Sequence, residues 1–509
     1  MKEKIFRLSE FISGSNCQEL IGATACFGHF NAIHPGHLRH FQTAREYGTP
    51  LVVAVEGDSH LREVEQASYF SQEERAQAVG ALSLIDYVMI LDDGSLEDFV
   101  SLIDLTTLVL GKEFEGIRST KIATAIDVAH QKGVQIFYDA GETHYASSDL
   151  LSGNPNELEK ERWQVFLEVQ QSQGVDLNEV FSIIDQASPP RLLVVGDTIV
   201  DRYVACDPIG MSNEAPVIVV KEIETRDYIG GAGIVSAHVA ALGSECTYLS
   251  VTGCDEYSSF VAESLDRLDI EPVLLEDQSR PTTFKIRYLV ENQKLFRVSR
   301  LKEHSLPRQI EDRLIREISE RACQLDGILI SDFVYGVVTP RIISALSDVS
   351  SEYDIPLFGD LQCSSQIGSI LKFQKFFLTT PTEREARIAL GNHDDGVEYV
   401  ANLLMEKTKS ANMILKLGGD GFIAYMDQQG EADVVQRQHF PALTGNPIDV
   451  AGAGDALISA MAVGLTSGLS FIQAASLANC VSAIAVQTIG NRPISLDQVR
   501  RFYSQHTDR

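Results

Sequence analysis

The chain has a single tryptophan, no CxxC pair among its eight cysteines, and few basic residues for its length. The cysteines (Cys17, Cys26, Cys206, Cys246, Cys254, Cys323, Cys363, Cys480) are scattered. That pattern gives no sign of a zinc ribbon or a disulfide framework, so buried thiols of a cytoplasmic protein are expected. Lys and Arg number 42 against 71 Asp and Glu, a net charge of −29. An acidic surface of that size argues against nucleic acid or an anionic membrane as the main partner. It still allows nucleotides, because a local pocket can be basic. No apolar run approaches the roughly 20 residues that span a bilayer. The opening Met1-Lys2-Glu3-Lys4-Ile5-Phe6 lacks the apolar core of a signal peptide. There is no tandem repeat and no low-complexity tract.

The 509 residues, 44% of them hydrophobic, allow two or more domains with sizeable cores. Thr24–Phe27, Leu51–Val55, Tyr87–Leu91 and Leu108–Leu110 are short apolar runs. Each is followed by a turn and a helical pattern, the rhythm of a parallel α/β sheet. Residues 153–190 turn polar and helical and stop at Ser188-Pro189-Pro190, as a helical linker would. A second α/β series begins at Arg191-Leu192-Leu193-Val194-Val195-Gly196-Asp197 and continues through Gly327–Asp332, Pro356–Asp360, Phe376–Pro381 and Met413–Gly418. Several of these strands end in Asp, Thr or Gly. Open α/β sheets bind ligands at the carboxyl ends of their strands, so these ends mark a site. Ala215–Glu222 and Thr282–Val298 alternate and predict a small antiparallel lid. The expected organisation is an N-terminal domain over 1–152, the linker, and a C-terminal domain over 191–509.

Asp449-Val450-Ala451-Gly452-Ala453-Gly454-Asp455 opens an apolar helical run, Ala456-Leu457-Ile458-Ser459-Ala460-Met461. Small residues let the N–H groups of Gly452, Ala453 and Gly454 crowd an anion, and the helix N-terminus adds its positive dipole end. Asp455 in the first turn is placed to take a proton from a hydroxyl attacking a phosphate. In the N-terminal half, Gly28-His29-Phe30-Asn31-Ala32-Ile33-His34-Pro35-Gly36-His37 follows a strand and enters a helix. Histidines three apart, His34 and His37, can stabilise charge developing on a phosphate, again at a helix N-terminus.

The N-terminal half, from about Gly22 to Leu151, resembles the cytidylyltransferase-like nucleotidyltransferases, a Rossmann-like fold. The resemblance rests on Gly28-x-Phe30-Asn31-x-x-His34-x-Gly36-His37, on Glu74-Arg75 with Leu84–Val88, on Leu110–Phe114 and on Thr143–Leu151. It implies that His34 and His37 stabilise the transition state and that Gly28, Phe30, Asn31, Ser147 and Ser148 surround the nucleotide. It also implies that Lys112 and Arg45 reach phosphates. The late segment departs from the usual Arg-containing sequence ending in Ser-Thr-Ser, which leaves ATP and CTP both open.

The C-terminal half, from about Arg191 to Pro493, resembles the ribokinase-like carbohydrate kinases. The resemblance rests on Asp449–Asp455 and on Gly230-Gly231-Ala232-Gly233. Gly196-Asp197-x-x-x-Asp201-Arg202-Tyr203, Ser212–Val217 and Thr282–Arg287 with Asn292-Gln293 look like its heptose-phosphate branch. By that resemblance Asp455 is the catalytic base, and Gly452, Ala453 and Gly454 form the anion hole. Asp197, Asp201, Gly230 and Gly231 border the sugar, and Lys285 and Arg287 hold a substrate phosphate. ATP lies toward Lys416–Gly421, including Gly418 and Gly421. Magnesium rides on phosphates and water, with Glu385 nearby and no dedicated protein metal site.

Kinases of that branch are often fused to a nucleotidyltransferase that acts on their product. Here the nucleotidyltransferase comes first. The pairing implies phosphorylation of a sugar phosphate of the heptose 7-phosphate type at its anomeric position, then nucleotidyl transfer to the 1-phosphate, for an ADP-heptose-type product. A homodimer through the lid is expected. Ile234, His238, Tyr335, Gln362 and Thr382 stand where asparagines or lysines are usual. Two alternatives therefore stay open: a different sugar or polyol phosphate with CTP, or one domain serving only as a binding module.

Overall fold

The computed structural model describes residues 4–9, 20–30, 35–58, 70–92, 94–111, 120–139, 155–212, 214, 217–290, 293–363, 368–392, 395–426, 436–445 and 447–507. The chain divides into two compact units, Met1–Gly153 with Gly391–Asn402, and Asn154–Leu390 with Leu403–Arg509. No helix among the described residues is long and apolar enough to cross a membrane.

The first unit is built on strands β1 (Ile5–Arg7), β2 (Ala23–Gly28), β3 (Leu51–Val55), β4 (Tyr87–Ile90), β5 (Leu105–Gly111) and β6 (Gln135–Asp139). Their order is β1-β4-β3-β2-β5-β6, every pairing parallel. All five residues of β3 are buried, as a strand covered on both faces requires. Alternate residues feed two cores. Ala25, Phe27, Val52 and Ala54 join one, and Cys26, Val53, Val55 and Val109 join the other. The order reverses at β2, which has β3 on one side and β5 on the other. Gly28 therefore leaves the sheet at the point where such folds bind ligands.

The second unit contains β7 (Arg191–Gly196), β8 (Thr198–Met211), β9 (Ile218–Gly231), β10 (Glu245–Thr252), β11 (Glu271–Glu276), β12 (Thr283–Val290) and β13 (Gln293–Arg300). It continues with β14 (Gly327–Asp332), β15 (Leu357–Leu361), β16 (Leu378–Thr379), β17 (Asn412–Lys416), β18 (Phe422–Met426) and β19 (Gln436–Phe440). The large sheet runs β11-β10-β7-β14-β15-β16-β17-β18-β19. It is parallel as far as β17 and ends in two antiparallel strands. Its order reverses between β7 and β14, again defining a crevice at the strand ends.

The smaller sheet is β13-β12-β8-β9. It differs from the expected lid in two ways. It takes in all of Thr198–Met211, and β12 pairs with β8 in parallel, so the sheet is mixed. A crossover, rather than a hairpin, joins those two strands.

The stretch expected as a linker forms helices Pro155–Gln173 and Leu177–Gln186. They are part of the second unit. Trp163, Phe166, Val169, Leu177, Val180 and Phe181 belong to the same buried cluster as Leu457, Ala475 and Phe502. Arg162 donates to the Thr444 carbonyl at 3.1 Å, and Tyr503 donates to Gln170 at 3.2 Å. Lys160, Glu161, Gln164 and Glu168 of the first helix are exposed, which is the polarity that suggested a tether. Helices Ala453–Thr466 and Phe471–Ala485 are apolar nearly all round and lie buried in this core, as such sequences must.

Candidate active sites

In the first unit, β2 ends at Gly28, and Phe30 turns back with a left-handed φ of 52°. A Cβ at Gly28 would sit 2.9 Å from the Phe30 ring, so only glycine allows this fold-back. The Phe30 side chain, expected beside a nucleotide, turns into the core. It is 4% exposed and packs with Cys26, Phe41 and Val55. The buried His37 lies on helix Pro35–Tyr47, its ring edge-on to Phe30 at 5.1 Å. Asn31, His34, Lys112, Ser147 and Ser148 lie outside the described residues. Arg45 is spent on structure rather than phosphate: its guanidinium donates to the Leu84 carbonyl and pairs with Asp86 at 3.1 Å.

Arg75 has the larger effect on this loop. Its guanidinium is fully buried and donates to the carbonyls of His29 at 2.5 Å and Glu56 at 2.8 Å, and to Asp58 at 2.7 Å. It clamps the chain leaving β2 to the chain leaving β3. His29 in turn meets Glu56 at 2.5 Å. The Glu74-Arg75 pair carries part of the family resemblance, but nothing around it in the sequence shows this burial.

In the second unit a cavity of about 390 Å³ opens at the strand ends, lined by Asp201, Gly231, Lys285, Arg287, Lys294, Arg297, Gln362, Gly452, Asp455 and Asn491 among others. Gly452, at φ 84°, starts helix Ala453–Thr466. The first helical bond is Ala456 N–H to the Gly452 carbonyl at 2.9 Å. The N–H groups of Ala453, Gly454 and Asp455 therefore lie ahead of the intrahelical ladder, as donors for an anion.

Asp455 is buried and accepts from Gln362 Nε2 at 2.6 Å. Burial first, then the neighbouring charge of Asp360, pushes its carboxyl up to about 7, while Lys416 and the Gln362 amide pull it back. Asp360 is fully buried and accepts from Thr380 at 2.6 Å and Lys416 Nζ at 2.7 Å. Lys416 reaches under the anion hole, 3.0 Å from where a Cβ at Gly454 would stand.

The predicted sugar carboxylates part company. Asp201, on β8, faces the cavity, where Arg287 and Asn491 hold it, Asn491 at 2.8 Å. Asp197 does not offer itself to a sugar. Its oxygens accept from the amides of Phe333, Val337 and Tyr335 at 2.8, 3.2 and 3.3 Å, so it shapes the loop after β14. Gly230 and Gly231 are required by crowding. A Cβ would fall 2.3 Å from Asp201 Oδ2 at the first and 2.4 Å from the Asp197 carbonyl at the second.

Lys285 is buried with Nζ 5.3 Å from the Phe333 ring centre and 5.0 Å from that of Tyr335. Arg287 lies over Tyr203 at 5.3 Å. Lys294 pairs with Asp449 at 2.6 Å, and Asp449 also takes the Ala451 amide at 2.9 Å. Lys294, Arg297 and Asn491 were not among the expected site residues, Gln362 was expected only as a departure from the family pattern, and Lys416 only as the start of the ATP stretch. The alternation of β13 and the strand-end positions of Gln362 and Lys416 were the available signals.

A second cavity of about 390 Å³ is lined by Thr382, Glu385, Lys416, Leu417 and Gly418 among others. Glu385 accepts from the amides of Thr382 at 2.9 Å and Cys363 at 3.0 Å. Gly421, at φ 87°, makes the turn into β18, where a Cβ would meet the Phe440 carbonyl at 2.0 Å. Of the unusual positions, Ile234 is core, and His238 is buried with its pKa held down at about 4 by desolvation, its Nδ1 accepting from the Ile494 amide.

Residues 190–498 match the family model of pfkB family carbohydrate kinase. The chain belongs to that family. Residues 25–150 match the cytidylyltransferase-like model, so the pfkB kinase domain follows a nucleotidyltransferase-like domain. The Bifunctional protein HldE of Trichlorobacter lovleyi is 30% identical over 66% of this chain and 67% of its own. That of Geotalea uraniireducens is 29% identical over 64% and 65%, and that of Campylobacter jejuni subsp. doylei 30% over 62% and 64%. The chain thus spans about two thirds of the length of the curated relatives it matches. Escherichia coli phosphofructokinase-2, in complex with substrates and products, aligns with TM-score 0.51 at 15% identity. It covers 63% of this chain and all of its own, which supports the pfkB fold.

Proposed function

We propose that this pfkB kinase phosphorylates a sugar phosphate of the heptose 7-phosphate type at its anomeric hydroxyl, and that the N-terminal domain then transfers a nucleotidyl group from ATP or CTP to the new 1-phosphate. The observation that carries the reading is one cavity that joins Asp455 and the glycine-rich helix start to Lys285, Arg287, Lys294 and Arg297. Four cations around a general base suit a phosphorylated polyol in an otherwise acidic protein.

Asp455 removes the proton as the hydroxyl oxygen bonds to the γ-phosphorus of ATP. The bond from that phosphorus to the β-bridging oxygen breaks, and ADP leaves. The N–H groups ahead of the helical ladder, those of Ala453, Gly454 and Asp455, stabilise the charge on the transferring group. ATP is assigned to the second cavity beside Lys416 and Gly418. Among the described residues no cluster of three or more acidic, His or Cys side chains could cage a metal. Glu385, with both oxygens fixed by amides, suits a magnesium held through water. When bound, the ion neutralises charge on the phosphates.

The exposed apolar residues Ile209, Met211, Ile218, Ile223, Phe296 and Val298 all lie on the smaller sheet. They support a homodimer formed through that sheet, and a cytoplasmic location is part of the same proposal. Phosphorus NMR with magnesium, ATP or CTP, and a panel containing heptose 7-phosphate tests the two activities. A sugar 1,7-bisphosphate followed by pyrophosphate and a nucleotide sugar is the expected result. Pyrophosphate from supplied sugar 1-phosphate alone would remove the kinase half of the reading.

A further inference from the structure

One neutral side chain in the kinase cavity touches two carboxylates. Gln362 follows β15, its own N–H donating to the Asp332 carbonyl at 2.9 Å. Its Nε2 lies 2.6 Å from Asp455 Oδ1 and 3.1 Å from Asp360 Oδ2. An amide nitrogen carries two hydrogens and can serve both acceptors at once, whereas the amide oxygen would repel both. Asp360 is not free to turn away, because its other oxygen is taken by Thr380 and Lys416. Asp455 is fixed at its Cα by the first turn of a buried helix. The side-chain orientation of Asp455 therefore depends on the group opposite it, which is Gln362.

We propose that Gln362 is a positioning residue, whose NH₂ group ties Asp455 to Asp360 and holds the base toward the cavity. The proposal rests on the reading of Asp455 as the base. The charged groups facing Asp455 are Asp360 on β15, Lys416 on β17 and Asp201 on β8, with Lys285, Arg287, Lys294 and Arg297 lining the same cavity. Asp360 disfavours the ionised base, and Lys416 and the Gln362 amide favour it. Lys416 is already committed to Asp360, which leaves Gln362 as the donor that contacts Asp455 directly.

The test uses the full chain with Gln362→Met, which keeps volume and removes the donors, and Gln362→Asn, which keeps a shortened amide. Infrared difference spectra taken against pH follow the Asp455 carboxyl, identified by its loss in Asp455→Asn, and need no turnover. In Gln362→Met the midpoint should rise by about one pH unit, and in Gln362→Asn by less than half of that. In steady-state phosphorylation, kcat at neutral pH should fall roughly 10- to 100-fold in Gln362→Met while KM stays within about threefold, and the acidic limb should move up with the midpoint. An unmoved midpoint in both variants overturns the proposal, even if kcat falls. A shifted midpoint in a protein whose wild type phosphorylates nothing supports the positioning role and removes the kinase reading instead.

Discussion

As the proposed base, Asp455 must be dry enough to be competent and charged enough to act. Its carboxyl titrates near 7 because burial and Asp360 outweigh Lys416 and Gln362. Phosphorylation should therefore rise with pH through about 7 and flatten above it, read as the acidic limb of kcat. The same shift has a stability consequence of opposite sign. The folded state binds the proton more tightly than the unfolded one, so this contribution is fully present below the ordinary carboxylate range and is lost as pH rises through about 7. Asp455→Asn should abolish phosphorylation, and above that pH it should unfold at higher denaturant than wild type, by on the order of a few kcal/mol. Lys416 makes the reverse case. Lys416→Met strips Asp360 of its cation in a fully buried place and should cost about 3 to 5 kcal/mol in chemical denaturation.

At the scale of elements, Gly231 and the helices at 155–186 carry the sharpest expectations. Gly231→Ala places a Cβ 2.4 Å from the Asp197 carbonyl oxygen, backbone that cannot turn aside, and 2.9 Å from the Ile199 side chain, at a left-handed φ of 59°. It should destabilise the second unit by about 2 kcal/mol or more, measured by thermal unfolding. Trp163→Ala should cost roughly 3 to 5 kcal/mol, because the ring is in the core rather than on a tether. A truncated kinase starting at 190 should melt well below one starting at 154. The strands were legible because buried parallel strands are continuous apolar runs. The helix start at Gly452–Asp455 was legible because glycine and a first-turn carboxylate have few other uses together. The linker reading erred because helix polarity shows what faces water, not whether the other face is covered. Asp197 was misread for a similar reason: a strand-end carboxylate looks the same in sequence whether it faces a ligand or three backbone amides. Arg75 reaches Asp58, 17 residues away, and Gln362 reaches Asp455, 93 residues away, contacts that no local pattern carries.

Across the whole molecule, the proposed function gives the pfkB domain and the cytidylyltransferase-like domain separate chemistries in series. The two are separable by single substitutions: Asp455→Asn should leave pyrophosphate release from supplied sugar 1-phosphate intact, and His37→Ala should leave phosphorylation intact. The central claim is that the cavity at Asp455 transfers phosphate to a sugar phosphate. The most direct measurement is sugar-phosphate-dependent ADP release by wild type and Asp455→Asn, with nucleotide affinity measured on both by calorimetry. The account predicts nucleotide binding within about threefold in the two proteins and release at least roughly a thousandfold slower in Asp455→Asn. Release by Asp455→Asn at a rate close to wild type would contradict it.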